Sequence, residues 1–467
     1  MKEKNYTSGP IGKTMLKTGF AMLAGTLAMS GYNIADTYFV GNLEGKTPLA
    51  AMGFTFPVIM LIVCIFRGIT VGIMTTTAQS IGRKKMDKAA LITTSGLALV
   101  ILFSLLITIA GIATGNLVFG LMGAKGETLT QTLGYMDIWY YGCVTAFLCM
   151  TKNDLLIASG DSKMASILMM AGLVLNVILD PIFIFGFWIV PAMGIKGAAI
   201  ATVISQGISA VVGAYVLYRK GFVVFKLFPF RKLRESWKLI IRFAIPSSLG
   251  MLMMPIGAFV VTWVVAQFGD AAVAAVAAAS RIEMVAFVFP MALGMSLMPM
   301  VGQNYGARLY TRIRQCRRFS MRFAFFFLLF MALIYFFAAH IIVQYFSTDK
   351  EVREIMVIFL VIVPWGFGMV EVHRYSGFFF TGCGHPTVAA IINALRVILM
   401  IPLTFLALYW KSLEGIFWAR LASDILSGGI GMYLAKRMTD NLPEDGIPCD
   451  TRGVMKYLFP KLPAKKV

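Results

Sequence analysis

Asp36, Asn176 and Asp180 stand in the middle of long apolar runs. An ionisable group there is costly unless it faces a partner or a hydrated cavity. Asn176 and Asp180 are four residues apart and share one face of a helix. Two carboxylates brought together away from bulk water repel each other until a proton or a small cation joins them, so the chemistry these residues suit is cation capture. A hydrogen-bonded clasp between helices is the structural alternative. Other charges interrupt apolar runs further on: Arg67, Asp137, Arg281, Glu283, Glu371, His373, Arg374, Arg396, Arg420 and Asp424. Glu283 and Glu371, with Arg281 beside them, are candidates for lining a substrate cavity and holding a cationic substrate. They can equally pair with Arg281, Arg374 or Arg396 and pin helices together. Asp137, Arg67, Arg420 and Asp424 read as structural or as lying near helix ends.

The elements that must position these groups are membrane helices. Of 467 residues, 58% are hydrophobic and 14% charged, with a mean hydropathy of +0.79. That leaves too little polar surface to cover a soluble fold of this size. The apolar runs are too long and too unbroken for barrel strands, which leaves helices as the way to satisfy the backbone in lipid. Twelve spans are predicted: 14–41, 47–78, 89–120, 128–157, 163–188, 192–218, 238–268, 271–303, 315–346, 352–382, 387–410 and 414–436. Pro57, Pro181, Pro246, Pro255, Pro290, Pro364 and Pro402 mark interior kink sites. The net charge of +20 does not point to nucleic acid, because the cations are sorted by side. With the N-terminus inside, the inner segments carry 31 Lys and Arg and the outer loops 6. Lys152 and Lys163 count here as an inner loop. This asymmetry predicts an even number of spans, both termini cytoplasmic, and a multi-pass protein of the plasma (inner) membrane. No removed signal peptide is expected. Cys64, Cys143, Cys149, Cys316, Cys383 and Cys449 show no zinc or redox spacing and read as small apolar filler. Most of the 31 methionines and 37 phenylalanines read as lipid-facing filler.

Two halves of the chain match at a constant offset of 224 residues. Gln79-Ser-Ile-Gly82 aligns with Gln303-Asn-Tyr-Gly306, and Ser159-Gly160-Asp161 with Cys383-Gly384-His385. Gly45 with Leu49-Ala-Ala51 aligns with Gly269 and Val273-Ala-Ala275. The offset covers six helices, so the repeat is parallel, and a cavity shared by two lobes is expected. The lobes are read as 1–218 and 238–437, with a cytoplasmic linker 219–237 and a cytoplasmic tail 438–467. Asp36 maps to Val260, Asn176 to Met400 and Asp180 to Thr404, so the polar set belongs to one copy and packing common to both does not require it. Glu283 and Glu371 map back to Ile59 and Phe147.

The runs Tyr32-Asn-Ile-Ala-Asp36-Thr-Tyr-Phe-Val-Gly41, Ala158-Ser-Gly-Asp161, Asn176-Val-Ile-Leu-Asp180-Pro-Ile-Phe-Ile-Phe-Gly186, Gly197-Ala-Ala-Ile-Ala-Thr202 and Gly302-Gln-Asn-Tyr-Gly-Ala307 resemble the multidrug and toxic compound extrusion (MATE) family in its prokaryotic form. The resemblance runs over essentially the whole chain. It implies an all-α polytopic fold of twelve transmembrane helices in two parallel six-helix repeats arranged as a V. It implies a secondary antiporter, not an enzyme, exporting amphipathic and often cationic small molecules in exchange for protons or sodium ions. It adds Thr202 and, in the fourth helix, Tyr135 to the cation-coupling set of Asp36, Asn176 and Asp180. No cofactor is implied beyond Na+ or H+ as coupling ion. The partners expected are small organic substrates and the lipid bilayer, not nucleic acid, with the protein a monomer. The chain departs from the family pattern in three places. The first helix lacks the family's proline upstream of the aspartate, with Gly25 and Gly31 as alternative bending points. The loop before Thr202 is long, and the seventh helix has no acid. A flippase for a lipid-linked precursor, held by Arg281, Arg374 and Arg396, is the rival reading. The loop Gly82-Arg-Lys-Lys85 loosely suggests the major facilitator fold, which the helix 5 motif opposes. No metal spacing or nucleophile elbow supports an enzyme.

Overall fold

The computed structural model describes residues 6–43, 47–224 and 228–449. Gly45, Lys226, the first lysines of the chain and the tail cations from Arg452 onward, all used above, lie outside the described residues. The chain is nearly all helix. In order it forms α1 (Ile11–Gly41), α2 (Thr47–Gly82), α3 (Met86–Leu121), α4 (Gly126–Ala158), α5 (Ser162–Ile184), α6 (Ile195–Arg219), α7 (Phe230–Ala266), α8 (Asp270–Gly306), α9 (Tyr310–Gln344), α10 (Lys350–Ile362), α11 (Phe367–Gly382), α12 (Pro386–Tyr409) and α13 (Leu413–Asp440). The tenth predicted span is not one continuous helix. Pro364 falls inside it, and a four-residue 3₁₀ turn, Val363–Gly366, separates α10 from α11. Proline has no N–H to give to the helix ladder, so the tighter turn takes up the break. Counting α10 and α11 as one broken helix gives twelve. Pro57, Pro181, Pro246, Pro255, Pro290 and Pro402 stay within continuous helices, as does Pro299.

Among the described residues, nine helices are long and apolar enough to cross a membrane by length and composition, with Lys350–Gly382 counted as one. The helices outside that set are α1, α4 and α13. These three bring in Asp36, Lys152 with Asp154, and Arg420 with Asp424. The least lipophilic helices therefore carry polar groups that the fold buries.

The repeat is visible in local geometry. Lys84 and Arg308 both take a left-handed conformation, at φ 57° and 60°, and Gly160 and Gly384 do so at 85° and 92°. The Lys85 amide bonds the Ser80 carbonyl as that of Leu309 bonds Asn304, and Asp161 bonds Leu156 as His385 bonds Phe380. These closures, from an amide to the carbonyl five residues back, end a helix by satisfying its last orphan acceptors. Every pair is separated by the same 224 residues.

Two compact units result. The first spans Phe20–Ile245; the second combines Tyr6–Gly19 with the chain from Pro246 onward. In the first unit, the opening turns of α7 are tied to α3: Ser95 and Ser236 share a 2.6 Å hydrogen bond, and the Trp237 indole donates to the Ser95 carbonyl at 2.8 Å. Part of the segment read as a linker is thus helix. In the second unit, Thr18 bonds Ser296 at 3.0 Å, and Arg312 donates to the carbonyls of Gly9 and Tyr6. Residues 442–447 pack on the start of α9. There Asp445 accepts from the Thr311 amide at 2.8 Å, and the Tyr310 hydroxyl donates to the Ile447 carbonyl.

Candidate functional site

Four of the residues singled out in the sequence meet in the interior of the first unit. Asn176 and Asp180, one turn apart on α5, are both 0% exposed, and the Asn176 amide donates to Asp180 Oδ1 at 3.1 Å. The same amide lies 3.3 Å from Thr202 Oγ1 on α6, and the Thr202 hydroxyl donates to Asp36 Oδ2 on α1 at 3.3 Å. The carboxyl groups of Asp36 and Asp180 stand within hydrogen-bond reach of each other. Three helices distant in sequence thus place two acids, an amide and a hydroxyl in one hydrogen-bonded chain. Tyr135 on α4 is buried within electrostatic reach of both acids.

Three oxygens of this group are buried without a hydrogen-bond partner: Asp36 Oδ1, Asn176 Oδ1 and Asp180 Oδ2. Leaving a buried acceptor unsatisfied costs about 1–3 kcal/mol, more if it is charged. Three in one place, from donor-poor residues, form a set of hard oxygen ligands for a small cation or a seat for a proton between the acids. Among the described residues no cluster of three His, Cys, Asp or Glu side chains has the makings of a metal centre.

Tyr32 belongs to this neighbourhood and was not singled out in the sequence. Its hydroxyl lies near Ser205 and within electrostatic reach of Asp36 and Asp180. Space for it is made by Gly172 on α5, where a Cβ would sit 2.4 Å from the hydroxyl. The signal was its position four residues before Asp36, on the same helical face.

Charges elsewhere are handled differently. In the first unit, Arg67 on α2 pairs with Asp154 on α4 at 2.9 Å. Lys152 does not lie in a loop, as its sequence context suggested, but six residues before the end of α4, 1% exposed and bonded to Ser209 of α6 at 2.8 Å. The turn at Ser159-Gly160-Asp161 closes α4 and so keeps Lys152 inside it. Asp137 is half-buried on α4. In the second unit, Glu283 pairs with Arg420, Asp424 with Arg396 at 2.6 Å and with Arg420 at 3.9 Å, and the fully buried Glu371 with Arg374 at 3.3 Å. The Arg374 guanidinium also lies over the Phe287 ring, 5.5 Å from its centre. The substrate-cavity candidates therefore part company: Glu283 and Glu371 hold arginines, whereas Arg281 is exposed on α8 with no ion pair among the described residues.

The family model MatE matches this chain twice, over residues 21–182 and 246–406, one match in each copy of the repeat. The chain belongs to the MATE family. An FAD transporter of Shewanella oneidensis is 31% identical over 446 residues, covering 94% of this chain and 98% of that protein. The multidrug export protein MepA of Staphylococcus aureus is 24% identical over 445 residues, covering 94% and 97%. Among solved structures, the Vibrio cholerae MATE transporter VcmN in its bent form superposes with a TM-score of 0.87 at 30% identity, covering 92% of this chain and 96% of that one. This MATE chain is accordingly a multi-pass membrane transporter of small molecules, built of twelve helices in two parallel six-helix repeats.

Proposed function

We propose that this transporter is a secondary antiporter that exports amphipathic, cationic small molecules in exchange for protons or sodium ions. The ion is loaded at Asp36, Asn176, Asp180 and Thr202, with Tyr135 beside them. The observation that carries the proposal is the trio of buried, partnerless oxygens on α1 and α5. Glu371 Oε1 and Oε2 and Asp424 Oδ2 also lack hydrogen-bond donors, but those carboxylates have an arginine within ion-pair distance, whereas Asp36 and Asp180 have no such cation among the described residues. With the acids ionised and empty, the first unit favours cationic substrate. A bound cation neutralises them and removes that preference, and by reciprocity substrate weakens the cation. Competition of this kind gives exchange without both ligands bound at once. MepA's description as a multidrug exporter supports the substrate class. The protein is taken to act as a monomer in the inner membrane with both termini cytoplasmic, following its basic inner segments. The test is reconstitution in liposomes under an imposed pH or sodium gradient, scoring uptake of a fluorescent organic cation. Asp36→Asn is expected to abolish gradient-driven uptake while the protein still folds; undiminished uptake in that variant sinks the assignment.

A second reading is favoured by the FAD transporter relative: an anionic, phosphate-bearing substrate. Against it, Arg374, Arg396 and Arg420 are each engaged by a carboxylate, so of the arginines that interrupt apolar runs in the second unit only Arg281 has no ion pair among the described residues. The same liposomes decide between the two. Gradient-driven movement of a flavin dinucleotide, with none of the organic cation, replaces the first reading by the second.

A further inference from the structure

Lys152 is a buried cation that the acid site does not use. Its amine donates to Ser209 Oγ at 2.8 Å, and the Ser209 hydroxyl in turn donates to the Leu168 carbonyl of α5 at 3.2 Å. Ser209 is its one hydrogen-bond partner among the described residues, and no carboxylate among them lies within ion-pair distance. The side chain runs through a prepared slot: a Cβ at Gly213, one turn beyond Ser209 on α6, would sit 2.4 Å from Lys152 Cδ. The lysine does not recur in the other repeat, where position 152 maps to Ser376, but the glycine does. Helices α6 and α13 match at an offset of 218, as Gly197 and Gly415 show, so Gly213 falls on Gly431, where a Cβ would sit 3.2 Å from Ser376 Oγ. The lysine itself is thus what is particular to the copy that carries the acids.

The amine is also connected to the acid site. A Cβ at Gly172 would sit 3.6 Å from Ser209 Oγ and 2.4 Å from the Tyr32 hydroxyl, so the serine that holds Lys152 and the tyrosine one turn before Asp36 flank the same point. Tyr32 is in turn within electrostatic reach of Asp36 and Asp180. The surroundings contain little else that titrates. Helix α2 offers Arg67, already held by Asp154, and α3 has no ionisable residue beyond its first turn. The faces that α5 and α6 turn toward the amine present Leu168, Ser209 and Gly213.

We propose that Lys152 is a second proton-binding group of the first unit, gaining and losing its proton in the same cycle that loads and empties the acid pair. An ammonium buried on one hydroxyl has no carboxylate to hold its charge in place, so its proton is free to leave. Negative charge on the empty acids favours the protonated amine across Tyr32 and Ser209, and a cation on the acids withdraws that support. Titrations linked in this way belong to the group as a whole.

The inference rests on the antiport reading, and the experiment separates the two. Protons released when the fluorescent cation binds to detergent-solubilised transporter are measured with a pH indicator, from acid to alkaline pH, for wild type, Lys152→Met, Lys152→Gln and Asp36→Asn. Both lysine variants are expected to change the count by up to about one proton and to flatten its pH profile. Gly213→Ala, which crowds the stem but keeps the charge, should move the profile in the wild type and leave it unmoved in the Lys152→Met background. It also serves if both exchanges at 152 fail to fold. Release by both lysine variants equal to wild type at every pH, or an unmoved profile in Gly213→Ala, overturns the proposal. If Asp36→Asn alone changes transport and release, the antiport reading stands and the role of Lys152 falls. If Asp36→Asn keeps gradient-driven export, the antiport reading falls instead.

Discussion

The two units descend from one repeat yet differ in their buried carboxylates: the first holds Asp154 on Arg67, as the second holds its acids, but leaves one pair without a cation. In the first, Asp36 and Asp180 meet an amide, a hydroxyl and each other, and three oxygens remain without donors. In the second, three carboxylate oxygens of Glu371 and Asp424 also lack donors, but Glu283, Glu371 and Asp424 each face an arginine, and Asp424 bridges two. A carboxylate neutralised by a tethered guanidinium is a fixture. One left to a neighbouring acid waits for a charge that can come and go. On the antiport proposal, ion handling belongs to the first unit and the second unit's buried charges are a scaffold.

The largest expected effect tests the first half of that contrast. Asp180→Asn should lower gradient-driven transport by more than about tenfold, the equivalent of 1.4 kcal/mol or more, with an unchanged elution profile in detergent. Retained transport would make the two units alike. Next is the scaffold. Arg396→Met strands Asp424 without its 2.6 Å partner and should cost about 3–5 kcal/mol of stability, read as a lowered thermal unfolding midpoint. Adding Asp424→Asn should recover most of the loss. If Arg396→Met leaves stability untouched but stops transport, the second unit's pairs are not mere fixtures. A smaller effect is expected from Thr202→Val. It removes the hydroxyl that bridges Asn176 and Asp36, worth about 1 kcal/mol, and should raise the ion concentration for half-maximal transport several-fold without altering the fold. Smallest of all, Arg231→Ala breaks the exposed pair with Glu235 on α7 and should leave the unfolding midpoint unmoved, since solvent screens such pairs.

Much of the fold is written in local sequence. Apolar runs of spanning length, turn residues such as Gly160 and Gly384, and the 224-residue offset act over short stretches of chain, so composition and spacing suffice to read them. The interruption expected at Pro364 is there, but its form, a 3₁₀ turn and not a bend in a continuous helix, depends on whether neighbouring turns can absorb the proline, which packing settles. Lys152 was misplaced for a related reason: a lysine near a helix end looks like a loop cation unless a slot such as that at Gly213 is known to receive it.

Asp36, Asn176 and Asp180 stood out by sequence because charge in an apolar run is costly wherever it ends up. Their meeting with Thr202, the arrival of Tyr32 through the space at Gly172, and the pairing of Glu283 and Glu371 with particular arginines depend on contacts between residues far apart in the chain. The cost of burying a charge is a property of one residue, and the chain states it alone. Whether that charge is cancelled, shared or left open depends on distances of a few ångströms between helices, and the tertiary structure decides those.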